Sequence, residues 1–247
     1  MLRKGYLPAL ILLLVLPGVN AQITGGGDNE SFVAISPLLG VNRDELKVRG
    51  PGGTTATESE TALEYGLFAI AGTPHFTVNN FLFFTDVNNT DILGNFTFAN
   101  YYVDKSKPFT LNLGAGYLYH RIEPDDTKIE VHVPMVKIGP LVRVDALNLS
   151  LNPYVGYAWE QVKTPFGDTD NESYLYGLSV KWHWRMIQTS LKYYYQDSRE
   201  IEEDFHTFRG RVTVGINEHW GIAARVDYME HQTTDDTSFL MGPAYRF

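Results

Sequence analysis

Seven basic residues near the end of the chain, Lys181, Arg185, Lys192, Arg209, Arg211, Arg225 and Arg246, alternate with apolar neighbours in stretches such as YGLSVKWHW and FRGRVTVG. In an extended segment successive side chains point to opposite faces, so alternation of this kind gathers the cations on one side. Asp227 is the only acid that shares their positions, and His183 lies nearby. A stripe of Lys and Arg in a confined aqueous space lowers the energy of an anion and raises that of a cation. Groups of this type also pair with acids across such a space, and Asp227, Glu64, Glu130 and Glu160 are the candidates. Both readings stay open at this level.

Other constellations carry less. A Ser nucleophile needs a base within hydrogen-bond reach, yet none of the seven His residues has Ser two positions later. Asp204 and His206 in EEDFHTF have the spacing of a proteolytic Asp-x-His pair, but both share the face of Phe208 and Val212, away from the cations. No catalytic residue is assigned. The acidic stretches EPDD, GDTDNE, EIEED and TTDD lack the ordered pattern of a calcium loop and read as solvated surface, with a divalent-cation or lipopolysaccharide-bridging role the less favoured alternative. Sequons at Asn95 and Asn148 fall inside predicted strands and read as chance. With no Cys there is no disulfide framework and no thiolate site, and neither a metal nor a cofactor is expected.

The elements that must position the cations are strands. From Ser31 onward the chain shows almost no helical period, and twelve alternating segments are predicted: 31–41, 61–72, 75–86, 91–103, 108–121, 128–144, 147–162, 172–185, 187–197, 204–216, 219–231 and 236–247. Their connections alternate in length. Short ones around Pro74, Lys105, Asp145, Arg185 and Asn217 are interleaved with longer or more acidic ones, which an antiparallel meander sends to opposite ends. The stretch VRGPGGTTATESET is expected to project outward or to fold inward as a constriction. Register is ambiguous in two places. Ile129, Val131 and Val133 continue the face of Val136, Ile138, Pro140 and Val142 only through a bulge near Pro134, and Asn79 and Asn80 blur the strand 75–86.

Aromatic residues distinguish a soluble barrel from a membrane one. On 172–185 the apolar face carries Tyr174, Tyr176, Leu178, Val180, Trp182 and Trp184. All four Trp lie on apolar faces near strand ends: Trp182, Trp184 and Trp220 beside short turns, Trp159 toward the long connections. Rings at both ends of a band of Leu and Val match the interfacial girdles of a lipid-facing surface. The basic face is then the lumen.

The last ten residues, SFLMGPAYRF, end the chain inside a strand, with Phe239, Met241, Pro243, Tyr245 and Phe247 on one side. This resembles the C-terminal signal of Gram-negative outer-membrane β-barrel proteins, which ends on an aromatic residue and is read by the barrel-assembly machinery. The resemblance implies a membrane-spanning antiparallel up-and-down β-barrel over 31–247, outer-membrane lipid and lipopolysaccharide as surroundings, and Phe239, Met241, Tyr245 and Phe247 as the assembly signal. Membrane phospholipases and omptin-like proteases of this architecture use the serine and Asp-x-His arrangements weighed above, and the chain is read as non-enzymatic.

Residues 1–21 have the three parts of a secretory leader: Arg3 and Lys4, an apolar run from Leu7 to Leu16, and small residues ahead of a cleavage point after Ala21. Residues 22–30 are expected to form a short periplasmic segment. Beyond the leader 18 basic residues stand against 29 acidic ones, which disfavours a nucleic-acid partner. The expectation is a small porin-like channel passing anionic solutes through a lumen lined by Lys181, Lys192, Arg209, Arg211 and Arg225 with Asp227. The alternative is a closed barrel acting through its loops.

Overall fold

A computed structural model describes residues 31–49, 55–87, 90–104, 107–124, 127–199, 204–230 and 234–247. The leader and the segment 22–30 lie outside the described residues. Twelve strands follow one another: β1 (Phe32–Arg49), β2 (Thr55–Gly72), β3 (Phe76–Val87), β4 (Thr90–Tyr102), β5 (Phe109–Pro124), β6 (Ile129–Val144), β7 (Leu149–Thr164), β8 (Gly167–Trp184), β9 (Ile187–Ser198), β10 (Asp204–Gly215), β11 (Trp220–Glu230) and β12 (Thr234–Arg246). Each pairs antiparallel with its sequence neighbours, and β1 pairs with β12 to close the barrel. Among the described strands no sheet edge remains, so the backbone of each strand pairs with neighbours on both sides of the wall, as a chain crossing hydrocarbon requires.

The closing seam joins the two ends of the sequence. Ile35 lies opposite Tyr245 and Val41 opposite Phe239, and the backbone N–H of Phe247 donates to the Val33 carbonyl at 3.0 Å. The terminal aromatic residue is thus held in the ladder. Tight turns lie at one end, where Asn148 and Arg185 take left-handed backbone conformations with φ of 48° and 52°. Asp145–Leu147 form a single 3-10 turn there.

The hairpins at the other end are longer than the alternation alone predicts. β1 and β2 stay paired from Gly40 opposite Glu64 out to Arg49 opposite Thr55. The stretch from Thr55 to Thr61, expected either to project outward or to fold inward, is β-strand and continues the wall; residues 50–54 lie outside the described ones. β7 and β8 likewise pair out to Thr164 opposite Gly167. Polar side chains in these segments gave no apolar alternation to detect, but ladder hydrogen bonds do not depend on it.

The outer surface carries the apolar band. Leu178, Leu191, Val212 and Val214 are exposed, and so are Trp159, Trp182, Trp184 and Trp220. Exposed apolar area on this scale is incompatible with a monomer facing water. At the long-hairpin end the tyrosines of the band find polar partners: Tyr193 meets His206 at 2.8 Å, and Tyr119 donates to Glu130 at 3.0 Å.

Inside, two clusters of buried apolar residues form. Leu38, Phe81, Ala223, Leu240 and Ala244 make one; Val133, Ala158 and Leu175 make the other, with Leu118, Val131, Met135 and Tyr194 against it. The second cluster resolves the ambiguity near Pro134. No bulge interrupts β5 and β6, whose register runs unbroken from Phe109 opposite Val142 to Ile122 opposite Ile129. Val131 and Val133 point into the lumen while Val136 and Ile138 point to lipid, so both faces of β6 are apolar. Asn79 lines the interior cavity, and Asn80 lies on the opposite face of β3.

Candidate functional site

The basic residues converge. Ladder pairing sets Ser179 opposite Lys192, Lys192 opposite Arg209, and Arg211 opposite Arg225, so the cations of β8 to β11 form a continuous patch. Lys181, Lys192, Arg209, Arg211, Arg225 and Arg246 all line one interior cavity of about 200 Å3. Arg185 does not join them. It sits in the β8–β9 turn, exposed, with its guanidinium 5.0 Å from the ring centroid of the outward-facing Trp184. The left-handed turn carries its side chain off the strand parity from which a lumen position was expected.

Asp227 holds two of the cations at once. One carboxylate oxygen accepts from Arg209 Nε at 2.9 Å, and the other from Arg225 Nε at 2.9 Å and Arg225 Nη2 at 2.5 Å. Charge-assisted forks of this kind fix geometry as well as charge. Of the other acids weighed as partners, Glu64 shares the lumen and lies near enough to Arg225 and Asp227 to act on both through its charge. Glu130 is on the outer face with Tyr119, and Glu160 lies near Asn171, whose amide is 3.5 Å from it. Glu64 is buried in the lumen and accepts from Ser238 at 2.5 Å.

Lys137 on β6 belongs to the same cavity and was missed in the sequence, because the supposed bulge left the parity of β6 undecided. Its ammonium lies 4.6 Å from the centroid of Phe98 and 4.4 Å from that of Tyr154. Counting it, seven cations line the cavity, and none of the described residues around it is acidic. Arg211 donates to Ser36 at 3.2 Å, and its Nε is buried without a partner.

Facing this patch is a set of rings that the sequence reading also missed. Arg225 lies 3.4 Å from the centroid of Phe81, Arg211 3.8 Å from Phe68, and Arg209 5.2 Å from Phe96. Phe81 and Phe83 stack on β3, and Phe96 and Phe98 stack on β4. These rings lie flat because the adjacent wall has no side chains beneath them. A Cβ added at Gly94 would come within 2.1 Å of the Phe83 ring, and one at Gly116 within 2.3 Å of Phe98. Tyr154 covers Gly177 in the same manner, at 2.3 Å. A ring lying against the wall presents its negative face to the interior, and the face attracts a cation. The detectable signal is a Phe-x-Phe pair beside a Gly-x-Gly pair, as in Phe96 to Phe98 next to Gly114 to Gly116.

The lumen is therefore asymmetric: cations on one wall, aromatic faces on the other, and direct contacts between the two that narrow the passage. Among the described residues no group of three or more His, Cys, Asp or Glu is placed to hold a metal ion. Asp204 and His206 lie on the outer face, His206 against Tyr193, as their parity predicts.

The residues expected to form an assembly signal lie on the seam strand β12 and just beyond it. Phe239 and Met241 are exposed on the lipid face, and Tyr245 packs edge-on against Trp220 at 4.7 Å and against Phe247 at 4.8 Å.

Neither the family profiles nor the curated proteins include a match to this chain. Solved structures do share its architecture. The NanC porin aligns over 83% of this chain and 98% of its own with a TM-score of 0.54 at 11% identity. The transport unit of the autotransporter AIDA-I from Escherichia coli aligns over 98% of both chains with a TM-score of 0.52 at 11% identity. The β-domain of the Bordetella autotransporter BrkA aligns over 88% of this chain and 100% of its own, with a TM-score of 0.50 at 13% identity. The chain has the fold of Gram-negative outer-membrane β-barrels, and identities this low speak to fold alone.

Proposed function

We propose that the protein is an outer-membrane channel favouring small anionic solutes. The observation that carries this reading is the cavity with seven cations and no acid among the described residues lining it. Asp227 and the nearby Glu64 offset part of this charge just beyond that lining, which leaves a positive surplus. In a narrow lumen between low-dielectric walls such a surplus acts on a passing ion with little screening. The contacts of Arg225 with Phe81 and of Arg211 with Phe68 form the constriction and set the conductance, while the cations set the sign of the ion that enters.

This reading includes export by a leader cleaved near Ala21, insertion by the barrel-assembly machinery through the seam strand β12, and an acidic long-hairpin end set among lipopolysaccharide. One observation favours a second reading, a closed barrel acting through its loops. The cluster of Val133, Ala158 and Leu175, with Leu118 and Met135 against it, places apolar side chains inside the barrel wall.

Planar-bilayer recording with the full-length folded protein separates the two. Discrete steps of current with a reversal potential on the anion side across a salt gradient are expected. A cation-selective pore, or a folded protein that passes no steady current, would overturn the proposal.

A further inference from the structure

Asn80 on β3 and Asn95 and Thr97 on β4 form a hydrogen-bonded triad on the face directed at lipid. Asn80 lies midway between the outward rings of Phe76 and Phe84 on its own strand, and Thr97 lies between Tyr101 and Leu93 on β4. The triad is therefore central in the apolar band, where nothing in the hydrocarbon offers a donor or acceptor. The Asn80 amide donates to Asn95 Oδ1 at 3.1 Å and to Thr97 Oγ1 at 2.7 Å, and Thr97 donates to Asn95 Oδ1 at 3.1 Å. Both N–H groups of Asn80 are thereby used. Two groups are left over: the Asn80 carbonyl oxygen, which accepts nothing from the described residues, and the Asn95 amide, which donates to none.

Each left-over group is what the other needs. Two such faces brought together across a two-fold axis set Asn80 Oδ1 of each chain against the Asn95 amide of the other, so the same patch satisfies both copies. Isologous contact has this reciprocity, and self-complementary valence favours a second copy over a lipid or an unrelated chain. Small outward neighbours let a second wall approach: Ala69 is paired with Asn80, and Ala99 is paired with Ala115. Transmembrane helices associate by close approach over small residues with polar groups bonding across the interface, and the same physics applies to two barrel walls in a bilayer, where no hydrophobic driving force exists.

We infer that the lipid-facing side of β2 to β5 is a lateral dimer interface, joined by hydrogen bonds between Asn80 of one barrel and Asn95 of another. The interface lies outside the lumen and does not depend on what the lumen conducts.

The chain has no Cys, so single reporters are clean. Full-length protein carrying Ala99→Cys beside the triad, or Val212→Cys on the opposite wall, is folded into liposomes and oxidised. Disulfide-linked dimer is expected for Ala99→Cys and not for Val212→Cys. Adding Asn80→Leu and Asn95→Leu to the Ala99→Cys protein should cut cross-linking by about tenfold, since interhelical-type hydrogen bonds in membranes are modest individually. Heat-modifiability on gels reports folding separately, and apolar residues on the lipid face keep the monomer folded. Three results would overturn the inference: equal cross-linking from both walls, cross-linking unchanged by the Leu pair in folded protein, or only higher oligomers.

Discussion

The guanidinium of Arg225 on β11 lies 3.4 Å from the centroid of the Phe81 ring on β3, across the interior of the barrel. Arg225 is at the same time forked onto Asp227, so one side chain links the polar wall to the aromatic one. Both residues are almost fully buried, at 3% exposure each. A cation stacked on a ring in a dry site gains more than in water, and here the contact also fixes how far the walls stand apart.

If that contact sets the constriction, removing the ring should widen it. Phe81→Ala is expected to cost about 3 kcal/mol, as for other buried Phe truncations, and to raise single-channel conductance without changing the preferred ion. Urea unfolding and bilayer recording on the same preparation measure the two effects.

Asp227→Asn makes the complementary test. The carboxylate is the acid that bonds both Arg209 and Arg225. Its neutralisation should destabilise the barrel by about 3 kcal/mol, because two buried cations lose their counter-charge. It should also shift the reversal potential further toward anion preference. A shift toward cations would mean that the paired arginines turn away once released.

How much of this was legible follows from contrast between faces. On β8, Lys181 and Ser179 point inward while Trp182 and Val180 point outward, so alternation alone separates lumen from lipid. On β3 both faces are apolar, with Phe81 and Phe83 inside and Leu82 and Phe84 outside, and alternation has nothing to sort. β6 is the same between Val131 and Ile138, which hid Lys137. Arg185 misled for another reason: parity extends only as far as the ladder, and a left-handed turn residue has left it. Glycine carried the missing information, since flat rings need bare backbone beneath them.

The seam depends on two glycines in a stricter way. A Cβ at Gly40 would fall 1.7 Å from the Phe239 carbonyl oxygen, and one at Gly242 2.0 Å from that of Pro37, so neither neighbour can yield by rotating a side chain. Gly40→Val is expected to prevent closure of β1 on β12 and to abolish the heat-modifiable form. Gly210→Val, whose Cβ would meet nothing closer than 3.5 Å, should fold normally on the same gel.

Facing within the membrane is checked on adjacent residues of β8. Val180→Lys places a charge on the lipid side and should cost about 2 to 4 kcal/mol near the midplane. Ser179 is buried on the lumen side opposite Lys192, so its control is Ser179→Gln, which adds no like charge. That change puts no charge on the lipid face and should lower the unfolding free energy by less than Val180→Lys does.

The cations of the lumen are not equivalent, and their pairing predicts which of them can be removed without unpairing a buried acid. Arg209 and Arg225 share Asp227 at hydrogen-bond distance, so part of their field is cancelled at its source. Lys181, Lys192 and Arg211 line the cavity without a carboxylate in contact among the described residues. Their charge reaches a solute undiminished except by water and mobile ions. Replacing these three by Gln should therefore move the reversal potential toward zero while leaving the Asp227 ion pairs intact. Replacing Arg209 and Arg225 by Gln instead leaves Asp227 as an unpaired buried acid, which should lower stability more and introduce a cation-attracting point in the same passage. Measuring reversal potential and urea midpoint for both variants tests the assignment. An unchanged reversal potential in the variant lacking Lys181, Lys192 and Arg211, or a greater loss of stability there than in the variant lacking Arg209 and Arg225, would overturn the assignment.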